Sequence, residues 1–473
     1  MKNYIISGFA ITQEMGIPGV IEIELTPNPD NTLTRMSHAL KAQEYLNKTI
    51  ECSLSDWKFK GQIWNTKYSS ENNSITLSVR DHLAVLDNVE RSQVFTLCSF
   101  GDIVYEMITE CDTVFLDKSN EIDIKLAIQY KESDLEFLRR LASQIGVQIW
   151  FSGSSIYIGA KGHEGTEELI LNKDIVNLEI DTSLGSEDIS IQALPYNEGG
   201  QTTAEETLPE SSLGPINDSV VIKRRESQII SQHHLFIEDH EFNETELYAR
   251  QVLRKYVQNR IFAQGVVFEP LQLGTPISLR ETDANSEFHN KPESLIVKKF
   301  CAHWSLGQKK PYYTLEAINE DALTCLLPGY GEPVNFISPA AVEKSNDKLN
   351  RVKVVFPWDP RKEMSPWLRM LSGSWGRHNF QYLPPRAGDN VLVLWNRTGM
   401  DPIVLGSISG GEYVEDTDKD IVFSINDGRQ VIFGKDSIVI ENTKGNSKLE
   451  ILKDKINIHS KNVLIKTTRL EIE

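Results

Sequence analysis

The sequence predicts a mainly β protein with helical insertions. We expect two related β-barrels, a smaller OB-type barrel, and a C-terminal β-helix or β-prism intertwined between several copies. Three observations predict this fold class. Short runs of alternating apolar and polar residues recur between polar turns, the stretch 350–410 combines short strands with many aromatic residues, and apolar triplets repeat at a fixed step up to residue 472. Alternation with a period of two is typical of half-buried strands.

The tail after residue 437 is built from triplets in which two apolar residues flank a central residue. The flanking residues are Ile438, Ile440, Leu449, Ile451, Ile456, Ile458, Val463, Ile465, Leu470 and Ile472, and the last four triplets begin at 449, 456, 463 and 470. Residues two apart lie on one face of a strand but on roughly opposite sides of a helix. A coiled coil needs apolar residues three or four apart, so each repeat is predicted to be a short strand and a turn.

Strands this short bury little area and leave unpaired backbone edges. We therefore expect sister copies to supply both the missing core and the missing strand partners. In that case the flanking residues form the core of a needle and the interface between its copies. The alternative is an ordinary antiparallel meander within one chain. A tail folded back on its own subunit as a self-contained sheet would contradict the intertwined arrangement.

Composition bounds the function. The chain has 473 residues and a formal net charge of −18, and its length is sufficient for several domains. Nucleic acid and anionic membranes both require basic patches, so the charge disfavours either as a partner of the whole protein. The five cysteines lack CxxC spacing, which predicts reduced thiols of a protein folded in the cytosol. No apolar run is long enough to span a membrane, and the N-terminus lacks the pattern of a secretory signal.

Two β-rich stretches flank a helical region. Residues 1–90 and 265–318 alternate as strands, and the segment ITLSVRD at 75–81 loosely echoes YTLEAIN at 313–319. The echo indicates two related barrels on either side of an insert. Proline and glycine between 328 and 339 mark a boundary, after which an OB-type barrel is expected.

The helical signals are capping boxes. Ser99 precedes Asp102 by three residues, and Ser133 precedes Glu136 by the same spacing. In such a box each side chain accepts a hydrogen bond from the other residue's backbone amide. A further helix is predicted over 244–259.

No motif in the chain nominates catalytic chemistry. The sequence contains no GxSxG, no P-loop and no dinucleotide fingerprint, and we assign no catalytic, cofactor or metal residue. The residues His233, His234, Glu238 and His240 fall close together without the fixed spacing of a metal site, which favours a solvated or partly packed cluster. A carboxylate pair for glycoside hydrolysis stays open, because Asp and Glu are plentiful. A cell-envelope hydrolase on a β-scaffold is therefore one alternative function.

The region 350–410 allows a second alternative. It is locally basic and aromatic, with Trp358, Trp367, Trp375, Phe380, Tyr382 and Trp395. OB-folds that bind single-stranded nucleic acid combine these residue types, because bases stack on the aromatic rings. We favour the interpretation that the aromatic side chains fill a small barrel and that the arginines pair at a subunit interface.

Two sets of residues form long motifs in separate parts of the chain. The first comprises Gln129, Tyr130, Glu132, Ser133, Asp134, Phe137 and Leu138. The second comprises Phe356, Pro357, Trp358, Trp367, Trp375, Gly376, Pro385, Arg386, Gly388 and Gly406. The first set resembles the hub, and the second the OB domain, of a known family, the VgrG-like spike proteins of contractile injection systems. The family includes phage-tail hub and spike proteins, type VI secretion spikes and spikes of extracellular injection particles. The resemblance covers essentially the whole chain in the order hub, OB domain, needle.

The resemblance implies a domain plan. A two-barrel hub would occupy 1–335, with barrels at roughly 1–90 and 220–325 and an α/β insert at 91–195. The OB domain would occupy 336–411 and the β-needle 412–473. Neither a lysozyme-like insert nor an effector domain is expected, so the resemblance implies a protein that is not an enzyme and has no cofactor.

The resemblance also implies a function. The chain would be the homotrimeric central spike of a contractile injection apparatus, which adapts a hexameric inner tube to a threefold needle that punctures the target envelope. Its partners would be an inner-tube or tube-initiator protein, baseplate components and a small PAAR-like tip protein. Nucleic acid would not be a partner, and the target membrane would be contacted only on puncture. The protein would fold in the producer cytoplasm and be delivered outside as part of a tail-like particle, whether phage tail, secretion system or released particle.

Overall fold

The computed structural model describes residues 4–29, 35–109, 111–117, 122–145, 147–159, 165–182, 189–196, 216–224, 228–237, 261–281, 295–319, 335–345, 347, 351–371, 385–396, 402–408, 419–425, 429–434, 436–442, 444–464 and 466. The chain divides into two compact units, Met1–Ile408 and Ser409–Glu473. Within the described part of the chain no helix has the length and hydropathy of a membrane span.

The first unit begins with a five-stranded β element. Its strands and helices are β1 (Tyr4–Glu14), β2 (Ile17–Pro27), α1 (Arg35–Gln43), β3 (Thr49–Leu54), β4 (Trp57–Ser69), β5 (Ser74–Arg80) and α2 (Leu83–Leu86). The strands lie in the order β1–β2–β5–β4–β3, and neighbouring strands are antiparallel. Buried side chains alternate along β2 and β5 as the sequence predicts, with Ile21, Leu77 and Val79 in the core.

The insert follows. It contains β6 (Glu90–Ser99), α3 (Phe100–Met107), β7 (Thr113–Leu116), β8 (Asp123–Ser133), α4 (Asp134–Ile145), β9 (Ile149–Ser152) and β10 (Ser155–Ile158). Strands β6 and β8 form a two-stranded antiparallel sheet, and β7, β10 and β9 form a small mixed sheet. Both predicted capping boxes are present, at Ser99 with Asp102 and at Ser133 with Glu136. Helices α3 and α4 bury their apolar faces in a core of their own.

The second β-rich region adds strands to the first sheet. The next strands are β11 (Glu167–Ile170), β12 (Ile175–Thr182), β13 (Ile189–Tyr196), β14 (Ile216–Arg224), β15 (Gln228–Ile237), β16 (Ile261–Val267), β17 (Pro276–Arg280), β18 (Leu295–Ser305) and β19 (Tyr312–Asn319). Strands β13, β14 and β15 form a separate antiparallel sheet. The others join β1–β5, since β18 pairs antiparallel with β1. The two predicted barrels are thus halves of one eleven-stranded sheet over a shared core.

One predicted boundary needs correction. The resemblance implies an insert over 91–195 and a second barrel at roughly 220–325. Strand β12 instead pairs with β16, and β11 pairs with β17. The large sheet therefore already resumes at Glu167, because these strands find their partners far along the chain rather than within the insert.

The OB domain contains β20 (Asn335–Ser345), β21 (Val352–Val355), β22 (Arg369–Met370), β23 (Asn390–Asn396) and β24 (Ile403–Ser407). Its strands lie in the order β21–β20–β23–β24–β22. Inward-facing residues alternate along β23, where Val391, Val393 and Trp395 are buried. Trp395 and Phe356 are buried in the domain, as the favoured sequence interpretation expects of Trp395. Trp358 and Trp367 are half-buried, and Trp375, Phe380 and Tyr382 lie outside the described residues.

The second unit contains β25 (Lys419–Ile425), β26 (Arg429–Gly434), β27 (Ser437–Asn442), β28 (Ser447–Leu452) and β29 (Ile456–His459). Each strand pairs antiparallel with the next one. The expectation that these strands lack partners inside one chain is therefore wrong. Their pairing is that of the meander considered as the alternative, because the polar residues between triplets close hairpin turns, with the Leu452 amide bonded to the Lys455 carbonyl at 2.9 Å.

Several expectations fall on residues that the structure does not describe. They concern the helix over 244–259, the OB residues Trp375 and Gly376, and the tail residues Ile465, Leu470 and Ile472. Glu238 and His240 of the histidine-rich cluster also lie outside the described residues, whereas His233 and His234 belong to β15.

Candidate functional site

The hub residues singled out in the sequence form a buried polar network at the start of α4. Gln129, Glu132, Ser133 and Asp134 are each at most 4 % exposed. The Gln129 amide donates to Asp134 Oδ1 at 2.9 Å and to the Glu132 carbonyl at 3.1 Å. Because each buried polar group has a partner, the network stabilises one backbone path between β8 and α4.

A buried ion pair completes the network. Arg140, which is 5 % exposed, donates from Nη2 to Glu132 and to the Ile128 carbonyl, the latter at 2.7 Å. Its guanidinium also lies over the ring of Phe137, 5.0 Å from the centroid. Sequence reasoning missed Arg140. The available signal was an arginine among the apolar residues of an amphipathic helix, a position where a charge needs a buried partner.

The network turns one aromatic side chain outward. Lys131 has a φ of 47°, a left-handed conformation that few non-glycine residues adopt. It lies between Tyr130 and the buried Glu132, and the neighbouring hydrogen bonds hold it in place. The side chain of Tyr130 therefore points away from the insert and contacts the OB domain.

An aromatic cluster joins the two domains. The Tyr130 ring lies 5.6 Å from that of Phe336, 5.0 Å from Trp358 and 5.2 Å from Trp395, measured between centroids. The geometry is edge-on to Phe336 and Trp395, an arrangement that aromatic pairs prefer. Beneath the rings, Val94 and Ile128 of the insert share one apolar core with the OB strands. Tyr130 of the hub motif thus contacts Trp358 of the OB motif.

A polar clasp lies beside the aromatic cluster. Asp359 is 1 % exposed, and its Oδ1 accepts hydrogen bonds from the amides of Val94 at 3.3 Å and Arg361 at 3.2 Å. Its Oδ2 accepts from the Glu363 amide at 2.8 Å. Asp359 thereby ties strand β6 of the insert to an OB loop. We call the Tyr130 cluster and the Asp359 clasp together the hub–OB joint.

Arg361 adds a further contact at the joint. Its Nη1 lies 2.6 Å from Glu106 Oε1 on α3, and its guanidinium lies 4.6 Å from the ring centroid of Phe95. Sequence reasoning did not single out Asp359 or Arg361 as functional, because no local pattern reveals a contact with residues more than 200 positions away.

The remaining OB residues play local roles. Phe356 and Pro385 are buried, and Pro357 is exposed at the surface. Lys353 Nζ lies 5.4 Å from the centroid of Trp367. Three further residues shape turns or strand ends. The amide of Arg386 donates to Asp389 Oδ2 at 2.7 Å, and Gly388 has a φ of 93°, which favours glycine. Gly406 is exposed on β24. Base stacking has little support here, since the rings of Trp358 and Trp395 contact Tyr130.

The tail carries the second feature of interest. In register, Phe433, Ile438, Ile451 and Ile456 follow one another across four strands, and Val431, Ile440, Leu449 and Ile458 do the same beside them. We call these residues the apolar columns. Ile456 is 62 % and Ile458 57 % exposed. The two apolar residues of each described triplet on β27, β28 and β29 thus share one face of the sheet, as predicted.

The opposite face differs. Ile432 and Val439 are buried there, but further along the sheet the same face carries Glu450, bonded to Lys448 at 3.0 Å and to Asn457 at 2.9 Å. Val463, the last described member of the predicted needle core, is 52 % exposed and follows β29. Among the described residues of this unit the columns therefore form the larger apolar surface, and at Ile456 and Ile458 more than half of the side chain is exposed.

A polar cavity of about 300 Å³ lies between β4, β5 and the insert. Its lining includes Asp81, Lys60 and Asp112, the last two joined at 2.6 Å. Burial raises the pKa of Asp81 to about 7, although backbone amides that include Gly19 and Leu83 lower it. Hydrogen bonding to Lys60 lowers the pKa of Asp112. Both oxygens of Asp81 accept from amides, at 2.7 and 3.0 Å, so this carboxyl holds α2 against β2.

Among the described residues no group of His, Cys, Asp and Glu could hold a metal ion.

Comparisons with known proteins agree with this architecture. A family model described as phage tail baseplate hub matches residues 20–174. A second, described as the type VI secretion system/phage-baseplate injector OB domain, matches residues 339–408. No curated protein matches the sequence.

Solved structures are similar in fold. An E. coli protein, c3393, is described as a component of the type VI secretion system with structural similarity to the T4 bacteriophage tail proteins gp27 and gp5. It is 16 % identical, and the match covers 86 % of this chain and 97 % of that chain with a TM-score of 0.58. The lidded Francisella PdpA–VgrG complex is 10 % identical, with 96 % and 76 % covered and a TM-score of 0.59. At such identities the likeness concerns the fold.

Proposed function

We propose that this chain, a VgrG-like protein that combines a phage-type baseplate hub with an injector OB domain, is the homotrimeric central spike of a contractile injection apparatus. The hub adapts a hexameric inner tube to a threefold needle, and the needle punctures the target envelope when the apparatus contracts. The role is mechanical and involves no catalysis and no cofactor.

The open apolar columns of the tail carry this proposal. Exposed apolar patches of this kind mark interaction surfaces in soluble proteins. Strand pairing is already complete between neighbours within one chain, so sister copies supply cover for the columns rather than strand partners. Three tails packed against one another, each with its own antiparallel sheet and with the columns of Ile438 and Ile440 inward, form the needle.

The hub–OB joint supports the mechanical part of the proposal. A spike must transmit force from the hub to the domains beyond it without bending at the connection. Tyr130 and Asp359 connect the insert to the OB domain by apolar packing and by hydrogen bonds that are both buried. Close-packed interiors have low compressibility and transmit strain, which suits this role.

Partners follow from the same role. The hub contacts an inner-tube or tube-initiator protein and baseplate components, and a small PAAR-like protein caps the end of the needle. The target membrane is contacted only on puncture, and nucleic acid is not a partner. The protein folds in the producer cytoplasm and leaves it as part of a tail-like particle.

The experiment is a measurement of mass in solution by light scattering. The wild-type chain should have the mass of three copies. The double variant Ile438→Asp, Ile451→Asp places charges on the columns and should lower that mass to one copy. The matched control His459→Asp adds a charge to an exposed residue of β29 beside these columns, on the other face, and should leave the trimer intact. A monomeric wild-type protein would refute the proposal.

A further inference from the structure

The polar cavity between β4, β5 and the insert gathers cationic side chains from three separate elements. Lys60 comes from β4, Arg80 from the end of β5, and His82 from the residue before α2. The acidic residues of the lining are Asp81 and Asp112. The volume of about 300 Å³ is room for about ten molecules of the size of water. The cavity can therefore hold a small organic molecule.

The two carboxyl groups do not balance these cationic groups. Asp112 accepts a hydrogen bond from Lys60 Nζ at 2.6 Å, so these two charges compensate each other. Asp81 is 3 % exposed, and its oxygens already accept from the amides of Gly19 and Leu83. Burial raises the pKa of Asp81 to about 7, so about half of this group is neutral at pH 7. The cavity keeps an excess of positive charge.

The excess is located at Arg80 and His82. In the described part of the chain the guanidinium of Arg80 lies 5.9 Å from the ring centroid of Trp64 and forms no ion pair. His82 lies near the Asp112 carboxylate, whose pKa is lowered first by hydrogen bonding to Lys60 and to a smaller extent by His82. One carboxylate is thus shared by two cationic groups, and none belongs to Arg80. An anion in the cavity would find both partners.

A reactive thiol does not explain the cavity. Cys111 belongs to the lining, and burial raises the pKa of its thiol. The thiol donates to the carbonyls of Thr113 and Ser154, each at 3.5 Å. A protonated, hydrogen-bonded thiol is a poor nucleophile and a poor metal ligand. The cavity is therefore suited to binding rather than to covalent chemistry.

The rest of the lining suits an uncharged polar group. Thr49, Gln62 and Ser154 line the cavity, and we call these three residues the polar wall. Hydroxyl and amide side chains both donate and accept hydrogen bonds, as the hydroxyl groups of a ligand require. Val85 and Phe151 supply a small apolar part of the lining. The lining thus combines an anion site with a surface for a polar body.

We propose that this cavity binds a small phosphate monoester, with the phosphate on Arg80 and His82 and the esterified polar group against the polar wall. The planar guanidinium of arginine donates two parallel hydrogen bonds to phosphate oxygens. A phosphate monoester carries about −1.5 to −2 charges at pH 7, so it can balance Arg80 and a protonated His82 together. A single carboxylate would balance only one of them.

The ligand would connect two parts of the hub. Arg80 and Gln62 are paired residues of the large sheet, whereas Ser154 and Asp112 belong to the insert. Near the cavity, the amide of Lys60 on β4 already donates to the carbonyl of residue 153 in the insert at 2.9 Å. A molecule bound to both sides stabilises the folded hub by mass action. This role goes beyond the proposed spike function and does not depend on it.

The test is isothermal titration calorimetry of the full chain with glycerol 3-phosphate as the probe. The wild type should bind one molecule per chain and should not bind glycerol. Arg80→Gln should weaken binding by about tenfold or more, because it removes hydrogen bonds to a charged group. The matched control Lys67→Gln removes the same charge from an exposed residue of β4 outside the cavity lining. It should change the affinity by less than about twofold.

A second variant tests the polar wall and does not depend on the stability of Arg80→Gln. Thr49→Val keeps the shape of the side chain and removes its hydroxyl. It should weaken binding of glycerol 3-phosphate but leave binding of inorganic phosphate unchanged. Inorganic phosphate should bind the wild type more weakly than the ester does.

The outcomes are distinct from those of the proposed function. A trimeric protein that binds no glycerol 3-phosphate would overturn this inference and leave the spike proposal standing. Equal affinities for the ester and for inorganic phosphate would show that the polar wall recognises nothing, and would contradict a monoester site. Wild-type affinity in a folded Arg80→Gln variant would show that the ester binds elsewhere and would also overturn the inference.

Discussion

Tyr130 of the insert meets Trp395 of the OB domain edge-on, with ring centroids 5.2 Å apart and planes at 88°. The two residues lie far apart in the chain, and the ring of Trp395 also donates from Nε1 to Ser338 at 3.0 Å. Tyr130 therefore packs against Trp395, a side chain that a hydrogen bond within the OB domain already fixes.

The first prediction concerns this contact. Tyr130→Ala removes a half-buried ring from the cluster and should lower the free energy of unfolding by about 2–3 kcal/mol, at or below the range for fully buried aromatic residues. Tyr130→Phe keeps the ring and should cost less than about 1 kcal/mol. Denaturant unfolding monitored by tryptophan fluorescence measures both. Equal stability of the alanine variant and the wild type would contradict a joint at this position.

A second prediction concerns the clasp. Asp359→Ala leaves the buried amide of Val94 and the partly buried amides of Arg361 and Glu363 without their acceptor. An unsatisfied buried donor such as the Val94 amide costs about 1–3 kcal/mol. Asp359→Asn keeps one acceptor oxygen and should lose about half as much as the alanine variant. Hydrogen exchange of the Val94 amide is the readout, because it should speed up in the alanine variant. Unchanged exchange there would show that Asp359 does not hold β6.

The sequence was informative where structure is local. The capping boxes at Ser99 and Ser133 were predicted from three-residue spacings, since such hydrogen bonds depend only on neighbouring residues. The shared face of the two apolar residues in each triplet was also predicted, because side chains two apart on a strand must share a face. Their alignment across strands of the same chain was not. The filling of the OB domain by Trp395 followed from its aromatic composition.

The rest depends on contacts over long distances in the chain. Nothing near Tyr130 or Asp359 reveals the other domain, and nothing near Glu167 reveals its pairing with β17. The tail was predicted without internal strand pairs, because a strand and a turn fit both a prism and a meander. A usable signal existed in the dipeptide Gly445–Asn446, which is typical of hairpin turns. In the structure Asn446 has a φ of 50°, which such turns require.

The third prediction tests the buried ion pair of the hub. Arg140→Leu leaves Glu132, which is fully buried, without its cation, and removal of one partner of such a pair costs about 3–5 kcal/mol. The double variant Glu132→Leu, Arg140→Leu removes both charges and should be more stable than the single variant by about 1–3 kcal/mol. Thermal unfolding of the three proteins compares them. A double variant less stable than Arg140→Leu would mean that the pair contributes through its other hydrogen bonds.

The fourth prediction is a dependence of stability on pH. Burial raises the pKa of Asp81 from 3.8 to about 7 in the folded protein. The folded state therefore binds this proton more tightly than the unfolded state does, and the stability from this group is fully present below about pH 4 and is lost as the pH rises through 7. Between pH 5 and 8 the wild type should lose about 2 kcal/mol more than Asp81→Asn, which cannot titrate.

Denaturant unfolding of both proteins at the two pH values isolates this contribution, because the other titrating groups are common to both. The asparagine side chain of the variant would still accept from the amide of Gly19 or of Leu83 through its one carbonyl oxygen, so the contact between β2 and α2 is partly kept. Parallel losses in the two proteins would show that Asp81 is ionised throughout this range. A wild type that gained stability toward pH 8 relative to the variant would mean that the amide hydrogen bonds outweigh burial, and would reverse the sign of the argument.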